Sequence, residues 1–180
     1  PLQSGDDDIL RRMKRKMTAG LFSRLVARSR EVMPAVAFST DIIVGFPGET
    51  ERQFENTLTL VEATRPAKAH IFPFSLRQGT AAEAFSGECL SDAVVRSRVA
   101  RLRALTDGFE RAYRASLAGE RVTLLIEMQR ERKTGMLTGL TDTYIKVLCQ
   151  GDDTLKGSLV EATLTHSTAP LQLRLPSDSA

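Results

Sequence analysis

The chain has 180 residues, 42% of them hydrophobic and 26% charged, with a formal net charge of +3. These proportions exclude a disordered tail, a collagen-like repeat and a membrane-embedded bundle, and +3 is too mild to identify a nucleic-acid binder by itself. Two cysteines, Cys89 and Cys149, stand far apart, and the histidines are His70 and His166, so neither a disulfide framework nor a self-contained zinc or iron–sulfur site is expected.

Pro1-Leu2-Gln3-Ser4-Gly5 opens the chain without an initiator methionine or a secretory pattern. The expectation is a C-terminal piece of a longer protein. No apolar run approaches the roughly 18–20 residues that cross a bilayer, so no membrane partner is expected. Ile9, Leu10, Met13 and Met17 follow Asp6-Asp7-Asp8 at helical spacing, with acidic groups where a helix N-terminus favours them. A second helix is predicted over Leu21–Met33, with Leu21, Leu25 and Val32 inward and Pro34 ending it.

Val36 to Val44 is almost continuously apolar at its end, as in a parallel strand buried on both faces. Gly45-Phe46-Pro47-Gly48-Glu49 is a tight loop, and Thr50 with Gln53 forms a capping box for a helix carrying Phe54, Leu58 and Val61. Arg65-Pro66 stops it. Ala69–Phe74 is the next strand and Ser75–Gly87 a long loop. Strand, helix, strand predicts right-handed parallel connectivity. One long helix covers Ser91 to about Leu117, with Val95, Val99, Leu102, Phe109 and Tyr113 near one stripe and five arginines elsewhere.

Past Gly119 the texture changes. Val122–Met128, Gly135–Leu140, Tyr144–Cys149, Gly157–Leu164 and Leu171–Leu175 are short β-rich segments, which predict a small OB-like barrel. The fold class is α/β followed by an all-β module, with domains 1–117 and 118–180. Residues 1–117 hold 18 basic and 14 acidic side chains, net +4, and residues 118–180 hold 7 and 8, net −1. The β-module is therefore not an obviously basic surface.

Three segments could carry chemistry. Ligands of parallel α/β folds lie beyond the carboxyl ends of strands, which singles out Asp41-Ile42-Ile43-Val44-Gly45-Phe46-Pro47-Gly48-Glu49-Thr50. Its glycines let backbone approach a ligand closely. It is no P-loop, because the glycine spacing is short and the lysine is missing. The second, His70 to Thr80, is another strand end, where Arg77 could grip a carboxylate or phosphate. His70 has no visible partner for general-base work. The third is Pro1–Gly5 with the basic run Arg11-Arg12-Met13-Lys14-Arg15-Lys16, which could meet phosphates. Each also has a plain structural reading: a strand–helix corner, a solvated loop arginine, a solvated helix face.

Together, PLQSG…ILRRMKRK, DIIVGFPGETERQF and HIFPFSLRQGTAA, in this order, resemble the radical S-adenosylmethionine methylthiotransferases, and the β-module resembles their TRAM domain. The resemblance spans the whole chain. His70-Ile71-Phe72-Pro73 looks most like the branch acting on threonylcarbamoyladenosine in tRNA. Sibling branches act on isopentenyladenosine in tRNA and on a ribosomal-protein aspartate. Asp6, Met17, Phe74 and Ala81 depart from the usual Ser, Tyr, Tyr and Pro.

The resemblance implies a partial radical SAM barrel followed by TRAM. It implies S-adenosyl-L-methionine and 4Fe-4S clusters whose cysteine ligands are not in this sequence, tRNA as partner and a cytoplasmic location. The cofactor's radical abstracts a hydrogen, after which sulfur is inserted. Gln3, Ser4 and Arg15 would face the polar part of S-adenosylmethionine, and Ile43, Gly45, Phe72 and Pro73 its adenine. Ser75, Arg77 and Thr80 would face the substrate nucleotide, and Arg130, Arg132 and Lys133, with Lys146 and Lys156, the tRNA. No catalytic residue is assigned. Alone, the chain is expected to be inert. A Gly45→Val change is expected to abolish cofactor binding and leave the fold intact. A non-catalytic RNA-binding module is the alternative of a different class.

Overall fold

The computed structural model describes residues 1–165 and the backbone of Leu171–Arg174. His166 and the Leu175 end of the last predicted strand lie outside the described residues. The chain divides into two compact units, Pro1–Glu110 and Arg111–Ala180.

In the first unit, helix α1 (Asp7–Arg12) starts where the Asp6 carboxylate accepts the N–H groups of Asp8 and Ile9. Asn56 steadies that cap, its Nδ2 donating to Asp6 Oδ2 at 2.8 Å. Helix α2 (Ala19–Val32) is capped by Thr18, and Met33 stands between its end and Pro34. Its predicted inward stripe is corrected: Leu21, Leu25 and Val32 are 37%, 49% and 62% exposed. The helix instead turns Val26 and Phe22 inward. Arg30, one turn further along the same face, donates to the Thr64 and Arg65 carbonyls at 2.7 and 3.0 Å and lies over the Phe38 ring. Satisfying the last carbonyls of the next helix thus fixes the rotation of α2.

Strand β1 (Ser39–Val44) pairs in parallel with β2 (Lys68–Pro73), Ile43 opposite Phe72 and Val44 opposite Pro73. The connecting helix α3 (Glu51–Thr64) begins with the predicted Thr50–Gln53 capping box and ends at Arg65 in the left-handed region. Burial on β1 alternates: Thr40, Ile42 and Val44 are buried, while Asp41 and Ile43 are half-buried. The expectation of two buried faces is corrected, because α3 and α4 (Asp92–Ser116) cover only one. There Leu2, Ile42, Val44, Phe54, Val61, Val99 and Leu102 form the core. The predicted loop after β2 contains two short 3-10 turns, Ala81–Glu88, kinked at Phe85.

In the second unit, β3 (Arg121–Arg130), β4 (Leu137–Thr141), β5 (Lys146–Cys149), β6 (Leu159–Thr165) and β7 (Leu171–Arg174) close a barrel in the order β3-β4-β5-β7-β6. The β5–β7 pair is parallel and the others antiparallel. Alternation sends Leu124, Ile126, Leu137, Val147, Cys149 and Leu164 inward, where Tyr113 and Leu117 pack on them. Among the described residues no helix is long and apolar enough to cross a membrane.

Leu164 is fully buried and Leu159, on the same strand, is 72% exposed. Leu164→Ala is expected to cost about 2–5 kcal/mol of stability and Leu159→Ala less than about 0.5 kcal/mol, as read by urea unfolding of the whole chain.

Candidate functional site

The three chemistry-bearing segments meet at one end of one sheet. On one side of β1, the Gln3 N–H donates to Asp41 O at 2.8 Å and the Ile43 N–H donates to Gln3 O at 2.9 Å, a parallel bridge. On the other side β2 pairs along its length, and the Phe74 N–H donates to Val44 O at 2.8 Å. Gln3 therefore lies opposite Ile42, one residue before the Ile43–Phe72 pair, near the carboxyl ends of parallel segments, where α/β folds place ligands. Gln3 sits at φ +73°, a left-handed conformation that a residue with a Cβ rarely adopts and that recurs at functional corners.

The loop after β1 is built around a buried carboxylate. Gly45 and Gly48 lie at φ +80° and +75°. Glu49 folds back so that its Oε2 accepts the Gly45 N–H at 2.9 Å and an Arg98 Nη1 hydrogen at 2.9 Å. The same Nη1 donates to the Glu49 carbonyl at 3.0 Å. The side chains of Arg98 and Glu49 are 5% and 1% exposed. Arg98 also meets Glu51 at 3.1 Å, and its guanidinium lies over Phe54. Burial pushes the Glu49 carboxyl above its ordinary range, opposed by the Gly45 N–H and by Arg98.

Arg98 is the residue that the sequence reading missed, grouped there with arginines outside the apolar stripe. Its signal was its spacing: Val95, Arg98 and Leu102 fall at i, i+3 and i+7, so the arginine sits inside the buried face. Arg101 continues the strut, pairing with Glu51 and Glu55.

A cavity of about 180 Å³ opens on this end of the sheet. Ile43, Phe46, Phe74, Ala81 and Ala82 give it apolar walls, and Arg12, Met13, Lys14 and Arg15 line the other side. Phe46 meets Phe74 edge-on at 5.2 Å. Arg12 lies 4.5 Å from the Phe85 ring centre and pairs with Glu88 at 2.7 Å. The Glu88 carbonyl accepts the Gly48 N–H at 2.8 Å, which ties the 3-10 segment to the loop. Lys14 is held at φ +56° as α1 ends, with the Arg15 N–H donating to Leu10 O. Lys14 and Arg15 are exposed and form no ion pair among the described residues.

The expected cofactor residues divide accordingly. Arg15 and Ile43 share the cavity. Gln3 is tied to its frame by main-chain bonds to Asp41 and Ile43, and Gly45 by its N–H to the Glu49 carboxylate. Ser4 is fully buried beside α3, 3.4 Å from Thr57 Oγ1, and accepts the Asp6 N–H. Phe72 and Pro73 are exposed at the end of β2. Ser75, Arg77 and Thr80 are exposed on the following loop, where Thr80 Oγ1 donates to Arg77 O at 2.7 Å. His70 is exposed on β2.

In the barrel, Arg130 is fully engaged. Its three guanidinium nitrogens donate to Asp153 Oδ1 and to the Gly135 and Gly151 carbonyls, each at 2.8 Å. Lys146 pairs with Glu127 and Lys156 with Asp153. Arg132 and Lys133 are exposed on the β3–β4 hairpin and form no ion pair among the described residues. The hairpin is shaped by Glu131, whose carboxylate accepts the N–H groups of Lys133 and Thr134, and these bonds hold it below the usual carboxylate range.

No group of three or more His, Cys, Asp or Glu side chains among the described residues is placed to hold a metal. Cys89 is exposed and Cys149 lies in the barrel core, where burial pushes its thiol up.

Residues 1–61 match the Radical SAM superfamily model. A tRNA-2-methylthio-N(6)-dimethylallyladenosine synthase of Jannaschia sp. is 40% identical over 93% of this chain and 36% of its own length. The threonylcarbamoyladenosine tRNA methylthiotransferase MtaB of Bacillus subtilis is 32% identical over 94% of this chain and 38% of its own. The chain resembles the radical SAM tRNA methylthiotransferases. A Frankia alni dimethylallyladenosine synthase is 46% identical over 77% of the chain. The chain spans little more than a third of the first two relatives. Among solved structures, coproporphyrinogen III oxidase (HemN) of Escherichia coli, a radical SAM enzyme, superposes with a TM-score of 0.51 at 20% identity, over 59% of this chain and 25% of that one. That likeness concerns the fold alone.

The expectation that Gly45→Val leaves the protein folded is corrected. A Cβ at Gly45 would lie 2.7 Å from Val95 Cγ2, and φ +80° is strained for any L side chain. Gly79 has a similar φ of +78° but open space. Gly79→Ala is therefore expected to cost about 1–2 kcal/mol, and Gly45→Ala about 1–3 kcal/mol more from the clash. In urea unfolding, Gly45→Ala/Val95→Ala should lose less than the sum of its parts.

Proposed function

We propose that this chain is the C-terminal portion of a radical S-adenosylmethionine tRNA methylthiotransferase, with residues 1–117 the end of the radical SAM domain and residues 118–180 an OB-like TRAM domain. The observation that carries the reading is the convergence of Gln3, Ile43–Gly45 and Phe72–Phe74 at one sheet end, the first two of them within residues 1–61, which bear the superfamily match. The enzyme attaches a methylthio group to an N6-modified adenosine next to the anticodon of a cytoplasmic tRNA.

The cavity fits S-adenosyl-L-methionine in kind. Its apolar and aromatic walls suit an adenosyl group, and Lys14 and Arg15 suit a carboxylate. When bound, that cofactor supplies the radical chemistry. The residues here do not fit a 4Fe-4S cluster, since Cys89 is exposed and Cys149 sits in the barrel core. The cluster ligands are therefore assigned to polypeptide outside this chain. The role of this chain is to bind, orient and exclude water. Ile43, Phe46 and Phe74 form a dry wall, Glu49 and Arg98 hold the Gly45 corner, and Arg12 with Glu88 fastens the 3-10 segment beside the cavity. Ser75, Arg77 and Thr80 extend toward the substrate nucleotide.

The two tRNA substrates have separate support. The His70-Ile71-Phe72-Pro73 pattern favours threonylcarbamoyladenosine. The 40% and 46% identities to relatives named for dimethylallyladenosine favour that base. Deleting the gene and digesting total tRNA to nucleosides for mass spectrometry tests both. Loss of one methylthio-nucleoside identifies the substrate, and loss of neither rejects the proposal.

Arg132 and Lys133 are the hairpin cations open to phosphate, whereas Arg130 holds the barrel together. Arg132→Glu/Lys133→Glu in the full-length enzyme is expected to weaken tRNA binding and to lower the slope of log affinity against log salt by about 1–2. An unaltered slope places the hairpin outside the interface.

A further inference from the structure

We propose that Arg98 of α4 is a positioning residue for the cofactor corner, acting through Glu49 on the Gly45 N–H without touching the ligand. The inference rests on reading that corner as part of the S-adenosylmethionine site. One oxygen, Glu49 Oε2, accepts both the Gly45 N–H and the Arg98 guanidinium, each at 2.9 Å. Arg98 also grips the Glu49 carbonyl at 3.0 Å, so side chain and main chain of the loop end hang on one guanidinium. A buried ion pair is weak evidence for stability, because apolar replacements of similar volume often serve as well. This pair, by contrast, fixes the direction of an amide at a strand end where a ligand is expected.

The charges around Glu49 are few. Arg98 faces it from α4, and Asp6, the cap of α1, opposes its ionisation. Glu51 at the start of α3 shares Arg98 and is largely exposed. The Arg12–Glu88 pair lies at Gly48. Removing Arg98 therefore leaves a buried carboxylate with no cation. That carboxylate must take a proton or leave its place, and in leaving it releases Gly45.

The test uses the full-length enzyme with Arg98→Met, Arg98→Lys, Glu49→Gln and the double variant Glu49→Gln/Arg98→Met. Two quantities are read: S-adenosylmethionine affinity by calorimetry, and amide-exchange protection of the peptide containing Gly45 by mass spectrometry. Arg98→Met is expected to lose about 10- to 100-fold in affinity together with that protection. Both losses should shrink as pH falls and Glu49 takes its proton. Arg98→Lys keeps the charge without the fork and should fall between. The double variant should recover both quantities, since the neutral side-chain amide introduced by Glu49→Gln can still accept the Gly45 N–H and carries no charge to bury. A merely structural arginine predicts protection lost across the first unit alike in Arg98→Met, rather than at the Gly45 peptide in particular. Unchanged affinity in Arg98→Met, or a double variant no better than the single, overturns the proposal. Should Arg98→Met not fold, the double variant and Arg98→Lys decide it. Wild-type enzyme that binds no S-adenosylmethionine defeats the site assignment instead, and Gly45 protection still tests the coupling.

Discussion

Parallel main-chain pairing is the constraint on which the rest of the first unit depends. Because Gln3 bonds to one side of β1 and β2 to the other, the loops leaving all three must begin at the same height. Nothing about the loops' own side chains is needed to bring them together. The register brings Gln3 opposite Ile42, and the next residue, Ile43, beside Phe72. The cavity then follows from one asymmetry. Helices α3 and α4 cover one face of β1, and Ile43 on the other face is left to line an opening walled by Phe46 and Phe74.

Much of this was legible in residue pattern. The capping box, the tight Gly-Phe-Pro-Gly loop, the parallel strands and the five short β segments all announce themselves through local chemistry, whose range is a few residues. What was not legible is long-range. Leu21 and Leu25 follow a helical period as well as Phe22 and Val26 do, and contacts distant in sequence, Phe22 on the core and Arg30 on the carbonyls at the end of α3, go with the face that is buried. Glu49 and Arg98 are separated by the whole of α3, β2 and the 3-10 segment, and their contact leaves no local trace except an arginine on a buried stripe. Arg130 makes the same point in reverse. A basic hairpin reads as a phosphate site, yet this guanidinium is consumed by Asp153 and two carbonyls that loops bring to it.

The corner also shows how one glycine can answer to two demands. Gly45 is required by its φ and by the closeness of Val95, which belong to the fold, and its N–H is directed by Glu49, which belongs to the proposed site. Substitution at Gly45 cannot separate these, whereas substitution at Glu49 and Arg98 can. Gly48 is similar: a Cβ there would meet the Arg12 and Glu88 side chains that fasten the segment beside the cavity.

The two units end their sheets differently. The barrel closes on itself through the β5–β7 pair and, among the described residues, presents no free edge. Strand β2 has β1 on one side and, among the described residues, no strand on the other. A bare row of amides and carbonyls along Lys68–Pro73 is a template that a neighbouring copy can extend. Edge pairing between copies is therefore open to the first unit along β2 and, among the described residues, closed to the barrel.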